Sequence, residues 1–191
     1  MAPSQRLRPT LLFRYGWLLM LFKRRTRALE VFRAVTREDA RHPQAWSCIG
    51  FLLAQRADYG GALEAFERAV EARAGDAAAH FNIAFILQRT GRDADALERF
   101  ERAIALDPGV DRAWYGLGLS LARLGRIEEA AARFEEAARL RPSNPYAAYQ
   151  LASIWHRLGR RDRLRAEYQR VKDLDSRVAE QIRIEFGLDA K

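Results

Sequence analysis

Bulky, tiny and polar side chains follow one another along this chain in a fixed order that repeats every 34 residues. Trp46, His80 and Trp114 stand at that interval, with Ala148 next in the series. Three residues further on lie Ile49, Ile83, Leu117 and Leu151, each followed at once by a small residue: Gly50, Ala84, Gly118 and Ala152. Later in the period come Ala62, Ala96, Ala130 and Leu164, then Phe66, Phe100, Phe134 and Tyr168, then Ala69, Ala103, Ala137 and Val171. Pro108 and Pro142 close two of the periods. Each period predicts two antiparallel helices, A and B, of roughly 14 residues, too short to persist alone in water. Neighbouring units must therefore bury one another's apolar faces.

The order of residues has a packing logic. Gly50, Ala84 and Gly118 are expected where helices A and B cross, because a larger side chain would push them apart. Ala62, Ala96 and Ala130 play the same part from helix B. Trp46, Trp114, Phe66, Phe100 and Phe134 are expected to fill the space beside those crossings. Gly91, Gly125 and Gly159 fall where helix A ends and a left-handed residue is wanted.

This pattern resembles the tetratricopeptide repeat, W-x2-L-G-x2-Y followed by A-x3-F, A and P. The unit at 111–144 carries it nearly throughout, in Trp114, Leu117, Gly118, Leu121, Ala130, Phe134, Ala137 and Pro142. The units run 43–76, 77–110, 111–144 and 145–178, and extending the frame backwards gives a degenerate unit at 9–42. In that first unit Lys23 replaces the turn glycine and Val35 a small residue; in the fifth, Leu164 and Val171 replace alanines. The resemblance implies an all-α, right-handed α-solenoid. Val178, Ile182 and Phe186 lie at i, i+4 and i+8, which predicts a capping helix after the last repeat, within 179–191. Residues 1–8 show no packing signal and are expected to be disordered.

In the resembled family, helix A positions 2, 5, 9, 12 and 13 line a concave groove that holds partner peptides. Carried over, the groove residues are Phe51, Phe81, Phe85, Arg89, Arg112, Tyr115, Leu119, Arg123, Tyr149, His156 and Arg157. Aromatic side chains and a row of arginines suit a peptide with apolar anchors and acidic residues. A tail-carboxylate clamp known in some relatives is not expected. Only Asn82 and Arg112 match it, whereas Ser47, Phe51 and Gly116 do not.

The first helix departs from the rest. Residues 11–22 are apolar except for Arg14 and Gly16. That run is shorter than the ~20 residues a bilayer-spanning helix needs, and Lys23, Arg24, Arg25 and Arg27 follow it without a cleavage signal. Leu12, Tyr15, Leu19 and Phe22 are expected to pack inward, leaving Phe13, Trp17, Met20 and Leu21 as an apolar groove face. Two readings stay open: a contact surface for a second copy or an anionic membrane, or a helix buried by the N-terminal residues or by irregular packing of the first unit.

Composition sharpens this picture at three points. Ala, Leu, Arg and Glu dominate, so the elements are helices. The net charge of +8 is concentrated at one end, because residues 1–42 hold ten basic and three acidic side chains. The single cysteine, Cys48, excludes an intrachain disulfide, and only Lys23, Lys172 and Lys191 among 33 basic residues are lysines, a bias that fits a GC-rich bacterial genome. His42, His80 and His156 are spread over three repeats with no ligand spacing, so neither metal nor cofactor is expected. Nor does any residue set suggest an acid, base or nucleophile; Ser120 and Ser153 lie inside helices. The basic cluster Arg160, Arg161, Arg163 and Arg165 lacks the interleaved aromatics of a nucleic-acid surface. The expectation is a cytoplasmic, non-enzymatic scaffold or adaptor binding a partner peptide. The alternative is an assembly component that docks through residues 11–27 on the inner membrane face or on a second copy.

Overall fold

The computed structural model describes residues 3–188, with side chains from residue 8 onward. Among the described residues there are eleven helices and no strand. The chain divides into two compact units, Met1–Gly91 and Arg92–Lys191. The divide falls inside the third repeat of the sequence frame, not at one of its edges.

The first unit holds α1 (Pro3–Leu21), α2 (Arg25–Glu38), α3 (Pro43–Ala54), α4 (Tyr59–Ala72) and α5 (Ala77–Arg89). Helices α1 and α2 form one hairpin, α3 and α4 a second, and α5 packs on α4. The helix starts are written in the sequence. His42, Asp58 and Asp76 each accept a hydrogen bond from the backbone N–H three residues on, which satisfies an otherwise orphaned donor. At each of the two hairpin crossings in this unit a phenylalanine of helix B lies close against a glycine of helix A. A Cβ on Gly16 would come within 2.7 Å of the Phe32 ring, and one on Gly50 within 2.8 Å of the Phe66 ring.

The second unit holds α6 (Asp93–Leu106), α7 (Asp111–Arg123), α8 (Ile127–Leu140), α9 (Pro145–Arg157), α10 (Arg161–Lys172) and α11 (Ser176–Glu185). Here α6 packs on α7, the pairs α7/α8 and α9/α10 are hairpins, and α11 rests on α9 and α10. Gly118 and Phe134 repeat the crossing, at 2.8 Å for the added Cβ. In both units the phenylalanines of helix B are fully buried, whereas Trp46 and Trp114 are only half-buried. The crossings are thus filled by phenylalanine. The tryptophans serve a different end: Trp46 Nε1–H donates to the Ala40 carbonyl at 2.8 Å, and Trp114 Nε1–H to that of Pro108 at 3.0 Å. His80 Nε2 lies 3.3 Å from the Ala74 carbonyl, the same six-residue reach. Trp and His alternate at this position because each offers a ring nitrogen to a carbonyl that follows a helix B.

Both ends differ from expectation. Residues 1–2 lie outside the described residues, but 3–8, expected to be disordered, continue α1 as helix through Pro9. Pro9 is buried, and Arg8 pairs with Glu38 at 3.4 Å, so this extra turn is held against α2. At the other end the expected capping helix is α11. It starts at Ser176, ahead of the 178/179 boundary, because the Asp175 side chain caps it by accepting from the N–H groups of Arg177 and Val178. Residues 189–191, in the expected tail, lie outside the described residues.

Helix A ends on a positive φ at five points 34 residues apart: Lys23 (57°), Ala57 (60°), Gly91 (76°), Gly125 (79°) and Gly159 (67°). The backbone demand is common to all five, yet two positions meet it with a Cβ, which costs about 1–2 kcal/mol in the left-handed region. Ala57→Gly is therefore expected to stabilise the chain by about 0.5–1 kcal/mol, the smaller figure reflecting the greater freedom glycine has when unfolded. A urea melt of the variant checks the sign; a lower midpoint would contradict it.

Candidate partner-binding faces

Helices α3 and α5 of the first unit carry an exposed aromatic surface. Phe51 and Phe85, one repeat apart, each leave 45% of their area exposed. Phe81, half-buried, stacks near Phe85 with ring centroids 6.4 Å apart. Arg89 is exposed at the end of α5 and donates to the Tyr59 hydroxyl at 3.2 Å, which fixes the guanidinium beside the start of α4. Ser47, on α3 at the place equivalent to Phe81, has a buried hydroxyl oxygen with no hydrogen-bond partner among the described residues.

Helix α1 presents less of its expected face and more of another. Phe13 is tucked against the rings of Phe32 and His42, at 5.6 and 4.8 Å, and Met20 is half-buried. Trp17 and Leu21 are exposed. Leu19 is buried as expected, with Leu12 half-buried. Tyr15 and Phe22, however, do not pack inward: they are 49% and 67% exposed. The surface of α1 that meets α2 is the Pro9, Leu12, Gly16 and Leu19 side, and Tyr15 and Phe22 lie off it.

In the second unit the corresponding row is more covered. Tyr115 and Leu119 are half-buried. Tyr115 packs on the Phe134 ring at 5.4 Å and accepts from the Gln150 amide at 3.5 Å; burial raises its phenol pKa. Arg112 and Arg157 are exposed. Arg123 pairs with Asp93 at 3.3 Å, and the same Asp93 oxygen accepts the Ser120 hydroxyl at 2.9 Å. That buried serine is a structural partner of Asp93, a role its sequence gave no sign of. Arg89 and Arg123 each reach back 30 residues to the first turn of a helix B, so the arginine row also ties successive repeats together.

The last part of the row is contacted from outside the repeat frame. Tyr149 and His156 lie against the Phe186 ring at 5.9 and 5.2 Å. The Tyr149 hydroxyl donates to Glu185 at 2.7 Å and accepts from Gln181 at 3.3 Å; burial first, and the Glu185 carboxylate second, raise its pKa. Residues around the C-terminal helix thus engage Tyr149, which is half-buried, whereas His156 meets Phe186 and stays exposed. Periodicity could not reveal this, because α11 stands outside the 34-residue frame.

Burial pushes the Cys48 thiol up to about 11, so the thiolate needed of a nucleophile is scarce near neutrality. Among the described residues no three His, Cys, Asp or Glu side chains gather as a metal site, and no helix is long and apolar enough to cross a membrane.

Several solved structures share this arrangement. YrrB, described as a tetratricopeptide protein with an unusual peptide-binding site, aligns at TM-score 0.77 and 20% identity, over 91% of this chain and 90% of its own. MamA from Desulfovibrio magneticus RS-1 aligns at TM-score 0.75 and 20% identity, over 95% and 97%. PilF of Pseudomonas aeruginosa aligns at TM-score 0.78 and 18% identity, over 97% and 91%. At such identities the likeness speaks to the fold alone. No curated protein matches the chain in sequence. The family model of the tetratricopeptide repeat, however, matches in four overlapping stretches, residues 16–77, 49–111, 86–145 and 115–178. With that match over most of the sequence, and hairpins whose glycine–phenylalanine crossings keep its register, the chain belongs to the tetratricopeptide repeat family and has the α-solenoid fold class of that family.

Proposed function

We propose that this protein is a cytoplasmic, non-catalytic adaptor that holds a peptide segment of a partner on the helix A face of α3 and α5. Tetratricopeptide proteins are in general protein-interaction scaffolds, which supports the class of function. The observation that carries the reading is the pair Phe51 and Phe85, large apolar side chains left open at equivalent positions one repeat apart. Their counterparts in the second unit, Leu119 and Ser153, are half-buried. Two aromatic anchors at a fixed interval suit an apolar side chain of a peptide at each, and such anchors carry most of an interface's binding energy. Arg89 beside them favours a carboxylate on the same peptide. That YrrB has a peptide-binding site on the same fold supports the class of ligand.

The test is capture from native lysate by wild type and by Phe85→Ala with Arg89→Glu, followed by mass spectrometry. Phe85 and Arg89 are exposed, so the variant is expected to stay folded, giving up only the Phe81 stack and the Tyr59 hydrogen bond, while losing the captured partner. An unchanged set of captured proteins would contradict the reading.

A second reading is favoured by the exposure of Trp17 and Leu21 on α1. In it the chain is an assembly component attached through residues 11–27 to a membrane face or to a second copy.

A further inference from the structure

Helix α1 exposes a surface that every other helix A in the chain buries. The third, seventh and tenth positions of the repeat are Ala45, Ile49 and Leu52 in α3, and Ala79, Ile83 and Ile86 in α5, all buried. The same holds in α7 for Ala113, Leu117 and Ser120, and in α9 for Ala147, Leu151 and Ile154. In α1 these positions are Leu11, Tyr15 and Leu18, exposed by 61%, 49% and 48%. Trp17, Leu21 and Phe22 extend the patch.

We propose, resting on the second reading above and not on the peptide-holding face, that this side of α1 is a seat for an anionic lipid surface. Two observations choose lipid over a second copy of the chain. The first is breadth. At about 100° per residue, the six side chains from Trp17 round to Tyr15 spread over an arc of about 160°. A stripe of about 100° is what one helix ordinarily buries against its neighbour, so a single docked helix leaves part of this arc wet. A bilayer surface takes all six, with Trp17 and Tyr15 at the headgroup level where such rings settle. The second is charge. Residues 8–29 contain Arg8, Arg14, Lys23, Arg24, Arg25 and Arg27, and no Asp or Glu. Arg8 is answered by Glu38; Arg14, Lys23, Arg24, Arg25 and Arg27 are exposed. A second copy would bring the same cations against them, whereas phosphate-bearing headgroups neutralise them. The helix then lies in the plane of the interface, with Leu11, Leu18 and Phe22 reaching the acyl boundary and the cations at its C-terminal end in the headgroups, while Arg14, which falls inside the same arc between Leu21 and Leu18, extends its guanidinium back to the phosphates.

The experiment is co-sedimentation of the full chain with vesicles of phosphatidylcholine, with and without phosphatidylglycerol, alongside size-exclusion chromatography with light scattering. Wild type is expected to bind the phosphatidylglycerol vesicles, to bind pure phosphatidylcholine at least about tenfold less, and to be released at about 1 M salt, where screening is short-ranged. Leu11→Glu with Leu18→Glu, at exposed sites that leave the melting curve unchanged, is expected to lower partitioning at least about tenfold. A blue shift of tryptophan emission on vesicle addition that Trp17→Phe removes places the helix itself in the interface. Equal binding by the Leu11/Leu18 variant overturns the proposal. So does a wild type that ignores vesicles. If that protein is a dimer which the Leu11/Leu18 variant dissociates, attachment through α1 survives with a second copy as occupant; if it is a monomer, both fail.

Discussion

Phe134→Ala is expected to destabilise the chain by about 3–5 kcal/mol, the cost of emptying a phenylalanine site that cannot collapse. The ring is fully buried, sits against Gly118 on one side and meets Tyr115 at 5.4 Å on another. Gly118 has no side chain to move into the void, and both helices are held by further neighbours. Against a total of about 5–15 kcal/mol for an ordinary domain, the loss is large enough to shift a urea midpoint well outside error. Trp114→Ala is expected to cost less, since that ring is half-buried and gives up one exposed hydrogen bond to the Pro108 carbonyl. If Phe134→Ala and Trp114→Ala melted alike, the phenylalanine would not be the filler of the crossing.

Gly116→Ala is expected to destabilise by about 1–3 kcal/mol, the range for an overpacked core, although alanine is the better helix former by about 1 kcal/mol. Packing wins because a Cβ at Gly116 would overlap the ring of Phe100, and Phe100 is fully buried with nowhere to retreat. The control is Gly60→Ala in α4, where an added Cβ meets nothing within 4 Å. That variant shows the propensity term alone and is expected to raise stability by about 0.5–1 kcal/mol. Opposite signs in parallel urea titrations support the packing; the same sign in both contradicts it.

The helical hairpins and their register were legible because packing demands are local and repeat. Gly50 and Phe66, or Gly118 and Phe134, are paired by sequence offset alone, and the turn glycines Gly91, Gly125 and Gly159 adopt the positive φ their position requires. What stayed hidden depends on contacts outside the period. Gly116 looks like one more small residue, yet it makes room for a ring from the preceding helix B. Ser120 stands at a position that is apolar and buried in the neighbouring repeats, and the approach of Asp93 supplies its hydroxyl with an acceptor. Tyr149 and His156 occupy positions that lie open in the repeat pattern but here touch Phe186, which leaves Tyr149 half-buried and His156 exposed. In α1, Tyr15 falls at a position buried in the other repeats, so the frame places it inside; the structure leaves it out because no helix lies over it among the described residues.

The most direct test of the central claim, that the chain is built from 34-residue hairpins in this register, is residue-resolved amide hydrogen exchange. Helix interiors are expected to be protected, with fast-exchanging breaks recurring near 23, 57, 91, 125 and 159 where the φ angle turns positive. Protection running unbroken through those points, or breaks without the 34-residue interval, would contradict it.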